Sequence, residues 1–359
     1  MEMKRARGVD GLVALLVAVV TAAACGGGNG SSASTPGTTT KSLVVVNTGG
    51  DWGACQRKSF FDPFTAKTGI AIVDGPFLTD GQIKAMVQSK QYNVDVVYPS
   101  ANLALPSAGK NVLEPIDYQV VNKAELAAGT YTTYGTSIDI YAWAMGYRTD
   151  KFGGQTPKTW ADFFDTKRFP GKRAMPGDND VPAVLYAALL ADGVAPDKLV
   201  PLDVNRALKK LSTIKSNIVW YATGSQGQDL LKSGEVTMGQ EYANRVTSLR
   251  DAGSPVDISW DGQVVAGDLM GVPKGDPNAA AAMKFIAFVT SKDVNGTFSY
   301  CAAGAPSNVK STPNPKIAND LPTTHLNQTH VVETSEALAE YVAAHLDSIT
   351  TSFNNWRSG

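Results

Sequence analysis

The chain has 359 residues, 43% of them apolar, with 32 basic residues against 33 acidic ones and a formal net charge of −1. That composition fits a globular fold and supplies no basic stripe for a nucleic acid. Three histidines (His325, His330 and His345), all near the C-terminus, and three cysteines form no recognisable metal-ligand spacing, so no metal or cofactor is called for.

At the start, Lys4, Arg5 and Arg7 precede the apolar run Gly11 to Val20, and Thr21-Ala22-Ala23-Ala24 places small residues before Cys25. This order predicts a secretory signal peptide over residues 1–24. The run is too short for a membrane span, which takes about 20 apolar residues. Ala22-Ala23-Ala24-Cys25 resembles the lipobox of bacterial lipoproteins, with Ala22 where Leu is usual. The resemblance implies a diacylglycerol on the Cys25 thiol and attachment to the outer face of the cytoplasmic membrane; the alternative is a plain cleaved signal. The Gly/Ser/Thr-rich stretch after Cys25, ending near residue 42, reads as a flexible tether. Cys55 and Cys301 then remain as an even pair in an oxidising compartment, which predicts one disulfide, with two buried thiols as the alternative.

Beyond the tether, Leu43–Asn47 reads as a strand, 48–53 as a loop and 54–67 as a helix ended by Gly69. Ile70–Val73 is a second strand, Gln82–Ser89 a helix and Val94–Tyr98 a third strand. Such alternation predicts an α/β fold with largely parallel strands. Ile138–Tyr147 is an extended aromatic-rich run suited to crossing between lobes. Thr159 is placed to cap a helix over Trp160–Phe164, Arg173–Pro176 is a short strand, and Val184–Ala191 a helix. Asp203 is a natural cap for a helix reaching Lys215, with Val204, Ala207, Leu208, Leu211 and Ile214 on one face. Asp229–Lys232 reads as helix, Val236–Met238 as strand, and helices follow from Ala279 to Val289 and over Ser335–Trp356.

No His-Glu-x-x-His, Walker A or Gly-x-Ser-x-Gly arrangement is present. The ordered blocks do carry a family resemblance. Gly-Gly-Asp-Trp52, Asp62-Pro-Phe-Thr-Ala-Lys-Thr-Gly-Ile70 and Asp95-Val-Val-Tyr98-Pro-Ser100 resemble the first lobe of periplasmic solute-binding proteins. Pro201 to Leu211, Trp220 to Gln228, Leu230 to Met238 and Gly271 to Asn278 resemble the polyamine-type branch of ABC-importer binding proteins. The resemblance implies a type II two-lobe periplasmic-binding-protein fold, α/β, each lobe a sheet flanked by helices, with the ligand cleft between them. On that template lobe 1 spans 43–145 and 272–330, lobe 2 spans 146–271, and 331–359 is a C-terminal helix packing on the lobes.

The same resemblance implies a small-molecule ligand, an ABC permease and ATPase as partners, and a monomer. In polyamine binders an acid before the second crossing strand pairs with a ligand amine; here that acid is Asp268, while the aromatic platform two residues earlier is replaced by Ala266. Glu241-Tyr-Ala-Asn-Arg245 resembles the block of relatives that bind amino-acid-like ligands, so Arg245 is expected to hold a carboxylate as a bidentate pair. The expectation is a γ-aminobutyrate-like zwitterion, with Trp52, Tyr98, Tyr134, Tyr242 and Trp260 as aromatic walls and Asp51, Ser100 and Gln226 as polar contacts. A polyamine is the alternative, which further acids in the cleft (Asp51, Asp139, Asp178, Glu241) would favour. Other classes left open are an exported hydrolase and a sensor lipoprotein without a transporter.

Overall fold

The computed structural model describes residues 40–177, 180–302, 304–328 and 330–359. The expected signal sequence, Cys25, the expected tether up to residue 39 and Asp178 lie outside the described residues.

β1 (Ser42–Val46) and β2 (Ala71–Gly75) are parallel, with Leu43 opposite Ile72. The expected third strand is reduced to single bridges, Val96 beside Val45 and Val97 beside Gly271. The Asp95 carboxylate explains this: it accepts the Val44 N–H at 2.5 Å, taking a donor that a longer ladder would use. The expected loop at 48–53 is also shorter than read. A helix begins at Gly50 (Gly50–Gln56), continues through the π-helical turn Arg57–Phe61 into Asp62–Thr68, and ends on Gly69 in the left-handed region. Asn47 Oδ1 accepts the Gly49 N–H at 2.8 Å, and a Cβ at Gly53 would lie 1.9 Å from that same oxygen, so glycine is what lets the helix start so close to β1.

β3 (Thr136–Ser137) leads into β4 (Asp139–Arg148), followed by β5 (Arg173–Pro176), β6 (Ile218–Tyr221), β7 (Met238–Tyr242), β8 (Val256–Ala266), β9 (Leu269–Met270), β10 (Ala305–Pro306) and β11 (Val332–Glu333). The larger sheet runs β11-β8-β4-β7-β5-β6, with β10 on β4. It is mixed rather than largely parallel, since β4 runs against both β7 and β8 while β5 runs with β6 and β7. The chain goes out along β4 and returns along β8, so these two must be antiparallel. β3 and β9 continue the same out-and-back ribbon, with Thr136 opposite Met270.

Local signals explain several elements. Thr159 and Asp162 form a reciprocal capping box before the helix Trp160–Phe164. Asp203 accepts the Arg206 N–H at 3.0 Å and caps Val204–Ser212, which stops short of the expected Lys215; that residue begins a separate turn. Ser335 caps the long helix Glu336–Ser358.

Apolar side chains collect into two main cores. One gathers Leu43, Val45, Phe60, Phe61, Phe64, Ile138, Met270, Phe285 and Phe298. The other gathers Ala142, Trp143, Met145, Leu185, Leu211, Val246 and Val264, and takes in Leu338, Ile349 and Phe353 of the last helix. Both ribbon strands pass from one core to the other, Ile138 to Ala142 outward and Val264 to Met270 inward. The last helix packs on the second core but reaches back at its start. Glu336 accepts the Thr133 N–H at 2.7 Å and Glu340 the Ser107 N–H at 2.9 Å. Cys55 and Cys301 are joined as a disulfide, Cα to Cα 5.6 Å, across 246 positions of sequence.

Candidate ligand site

A cavity of about 980 Å³ opens where the ribbon passes between the two cores. Its floor is Asp139, Ile140, Tyr141 and Ala142 at the start of β4, with Gly267, Asp268 and Leu269 between β8 and β9. Of the residues expected at the site, Trp52, Tyr98, Ser100, Tyr242, Arg245 and Asp268 line it.

Four do not. Tyr134 is only 9% exposed in a small core with Leu103 and Leu113, and a Cβ at Gly109 would lie 2.8 Å from its ring. Trp260 stacks on His325, ring centroids 4.3 Å apart. Gln226 is the third residue of the helix Gly224–Ser233, where its side chain accepts the Ala222 and Thr223 N–H groups at 2.9 and 3.2 Å. Asp51 is exposed in the first turn of the helix Gly50–Gln56, outside the cavity lining. The Gln226 placement had a readable cue, since Thr223-x-x-Gln226 is a capping box.

One wall is aromatic and anchored. Trp52 meets Phe298 edge to face at 4.6 Å, three residues before the disulfide-bonded Cys301. Gln56, from the same helix as Trp52, donates to the Tyr98 hydroxyl at 2.5 Å. On the facing side Tyr242 stacks on Trp143 at 3.8 Å and meets Tyr141 edge to face at 5.8 Å. Ser100 is committed elsewhere, donating to Asp80 Oδ2 at 2.6 Å.

Two carboxylates meet at the hinge. Asp139 is 3% exposed, and its Oδ1 has no hydrogen-bond partner among the described residues. Asp268 faces the open cleft. Burial, and then the nearby charge of Asp268, push the Asp139 carboxyl well above its usual range; burial raises Asp268 too. Asp268 sits on the cleft surface within reach of water, so its desolvation is partial while that of Asp139 is nearly complete. The Tyr98 hydroxyl, which lines the same cavity, is raised well above its normal range by burial and then by the charges of Asp139 and Asp268.

The opposite end is basic. Arg245, half-buried on the helix Ala243–Asp251, makes one long contact, Nη1 to Ser225 Oγ at 3.4 Å, and no ion pair among the described residues. A Cβ at Gly224 would lie 2.6 Å from its Nε, so the glycine opens room for the guanidinium. Behind it, Glu241 is buried; one oxygen accepts the Tyr242 N–H at 2.8 Å and the other has no partner. Burial pushes Glu241 up to about 8, against the pull of that N–H and of Arg245. At neutral pH it is therefore mostly protonated and leaves the Arg245 charge uncompensated.

Residues 59–323 match the profile of the bacterial extracellular solute-binding proteins. The chain belongs to that family. This solute-binding protein is 32% identical over 265 residues to the gamma-aminobutyric acid-binding protein of Pseudomonas aeruginosa, covering 72% of this chain and 74% of that one. It is 22% identical over 255 residues to the spermidine/putrescine-binding periplasmic protein of Escherichia coli K12, covering 68% and 72% respectively. A solved GABA receptor is 36% identical and superposes with a TM-score of 0.74, covering 88% of this chain and 97% of that one. The two-lobe binding-protein fold and a role in solute capture for an importer follow from the family.

Proposed function

We propose that the cleft captures a small zwitterion of the γ-aminobutyrate kind, with Arg245 taking its carboxylate and Asp268 its ammonium. The observation that carries this reading is an unpaired, half-buried guanidinium in the same cavity as an exposed carboxylate. The two groups hang from opposite sides of β4: Arg245 follows β7, and Asp268 follows β8. Their strands are about 10 Å apart at a spacing of about 4.8 Å per neighbour. That separation favours a ligand whose charges sit at its two ends over one whose charges share a carbon. The buried Asp139 and the cleft-facing Asp268 lie together at one end, so they provide one ammonium site rather than the two a diamine needs, and Arg245 repels a second cation. Trp52, Tyr98 and Tyr242 supply walls for the methylene chain.

In the same reading lobe 1 spans 43–145 with 272–330, lobe 2 spans 146–271, and the monomeric protein closes over its ligand and presents it to an ABC permease. The two cores joined by the β3–β4 and β8–β9 ribbon support this division. The cationic start, apolar run and Cys25 support a lipid anchor on the outer face of the cytoplasmic membrane. Calorimetric titration of the wild type with γ-aminobutyrate, α-amino acids and putrescine tests the ligand. Tighter binding of putrescine than of γ-aminobutyrate would sink the zwitterion reading.

A further inference from the structure

The oxygen Oδ1 of Asp139 is buried and has no hydrogen-bond partner among the described residues. Such a group costs stability, and because buried polar groups in native proteins are nearly always partnered, an exception calls for an explanation. Asp139 opens β4, a strand whose next residues, Ile140 to Tyr147, are otherwise apolar or aromatic, and no local element needs an acid there. Its surroundings are well defined. Behind it lie Gly304, where a Cβ would be 3.6 Å from the Asp139 Cβ, and Pro306 of β10 opposite its backbone. In front lies Asp268: the Ser137 hydroxyl bridges the backbone carbonyls of Asp139 and Asp268, the latter at 2.9 Å, and both residues line the same cavity. Tyr98, Tyr141 and Tyr242 line the cavity with it, the last two edge to face at 5.8 Å, and among the described residues Asp180 is a further acid that acts on Tyr141. Among the described residues no cationic group contributes to the balance at either carboxyl.

We propose that Asp139 is a positioning residue for amine recognition: it acts through Asp268, sharing one proton with it while the cleft is empty and releasing that proton when an ammonium group docks. In the empty cleft the pair carries one negative charge, because two adjacent carboxylates in a poorly solvated site resist double ionisation. A ligand R–NH3+ brings the missing positive charge. The proton leaves the carboxyl for solvent, the ligand keeps all three of its ammonium protons, and the second carboxylate charge is offset by the ligand. The pair then selects for a cationic end and against a neutral one of the same shape. The inference rests on the amine-bearing ligand read above, but not on which amine it is.

The test is calorimetric titration of wild type, Asp139→Asn and Asp268→Asn with γ-aminobutyrate and with putrescine at pH 7. It is run in two buffers of different ionisation heat so that released protons are counted. Wild type is expected to release a substantial fraction of a proton per ligand, with affinity rising as pH increases from 6 to 8. Asp139→Asn should release none, lose that pH slope and bind about tenfold more weakly. A purely structural role would weaken binding equally at every pH and leave the proton count unchanged. Thermal melts without ligand check folding, and Asp139→Ser stands in if Asn does not fold. A wild-type proton count and slope in Asp139→Asn, or no proton release by wild type, overturns the inference. If wild type binds putrescine and not γ-aminobutyrate, the zwitterion reading fails and the proton count with putrescine still decides the role of Asp139. Binding of neither overturns both.

Discussion

The two ends of the cleft are built differently. The acid end is finished: Asp139 is sealed behind Asp268, Tyr98 is locked by Gln56, and an oxygen is left without a partner. The basic end is loose, with Arg245 half-buried and held by one contact of 3.4 Å. A buried acid pair must be assembled in advance, since desolvating it is costly. An arginine retains charge in any setting and can wait for its partner. On the proposed reading, the contrast makes the amine end a preformed site and leaves the carboxylate to a group free to adjust as the lobes close.

The strongest way to break that contrast is Arg245→Ala. Loss of a charge-assisted pair should weaken γ-aminobutyrate binding by about a hundredfold. Putrescine, which lacks a carboxylate, should bind as before or tighter, as titration would report. A parallel loss for both ligands would mean that Arg245 only holds the fold. Next is Asp268→Asn, which should cost both ligands about tenfold or more. It should also change stability in a particular direction. The folded, empty protein keeps a proton that the unfolded chain gives up above pH ~4, so this acid costs stability as pH rises from there through its raised native value. Melting of the empty variant should therefore exceed wild type by more at pH 8 than at pH 5.

A smaller effect sharpens the basic end. Glu241 ionises near pH 8 and then competes with the ligand for Arg245. Affinity for γ-aminobutyrate should fall about threefold as pH climbs through that point, as expected for one added like charge at partial screening. Glu241→Gln should flatten that limb of the profile. The least effect is expected from Ser100→Ala. Its hydroxyl already donates to Asp80, so ligand affinity should move by less than about twofold, within the usual range of surface changes.

Much of the architecture was legible because it is written locally. The caps at Thr159 and Asp203, the strand Arg173–Pro176 and the alternation of elements need only neighbouring residues. β8 was not legible. Ser259, Asp261 and Gly262 interrupt its apolar alternation, and the strand is held by β4 across a register shift between Trp143 and Met145. For the site, the motif-bearing residues Trp52, Tyr98, Arg245 and Asp268 reached the cavity, whereas Tyr134 and Trp260 were chosen for ring type alone and found other rings or core to pack on. Phe77 and Tyr141 line the cavity without any signal that distinguished them from ordinary aromatics. Asp139 did carry one. An acid leading into a wholly apolar central strand is expensive unless it is used, and in the sequence it was weighed only as one of several acids favouring a polyamine.

The Cys55–Cys301 bond closes the chain into a ring of 246 positions. Everything from β4 to β8, and with it the Arg245 wall, is a loop drawn out of that ring. If the second core melts first, the Trp52 helix and the turn carrying Phe298 stay fastened to each other, and the aromatic wall outlives the wall it faces. Loss of one half of the cleft then leaves the Trp52 helix and the Phe298 turn covalently joined, so the two segments that build the aromatic wall cannot separate.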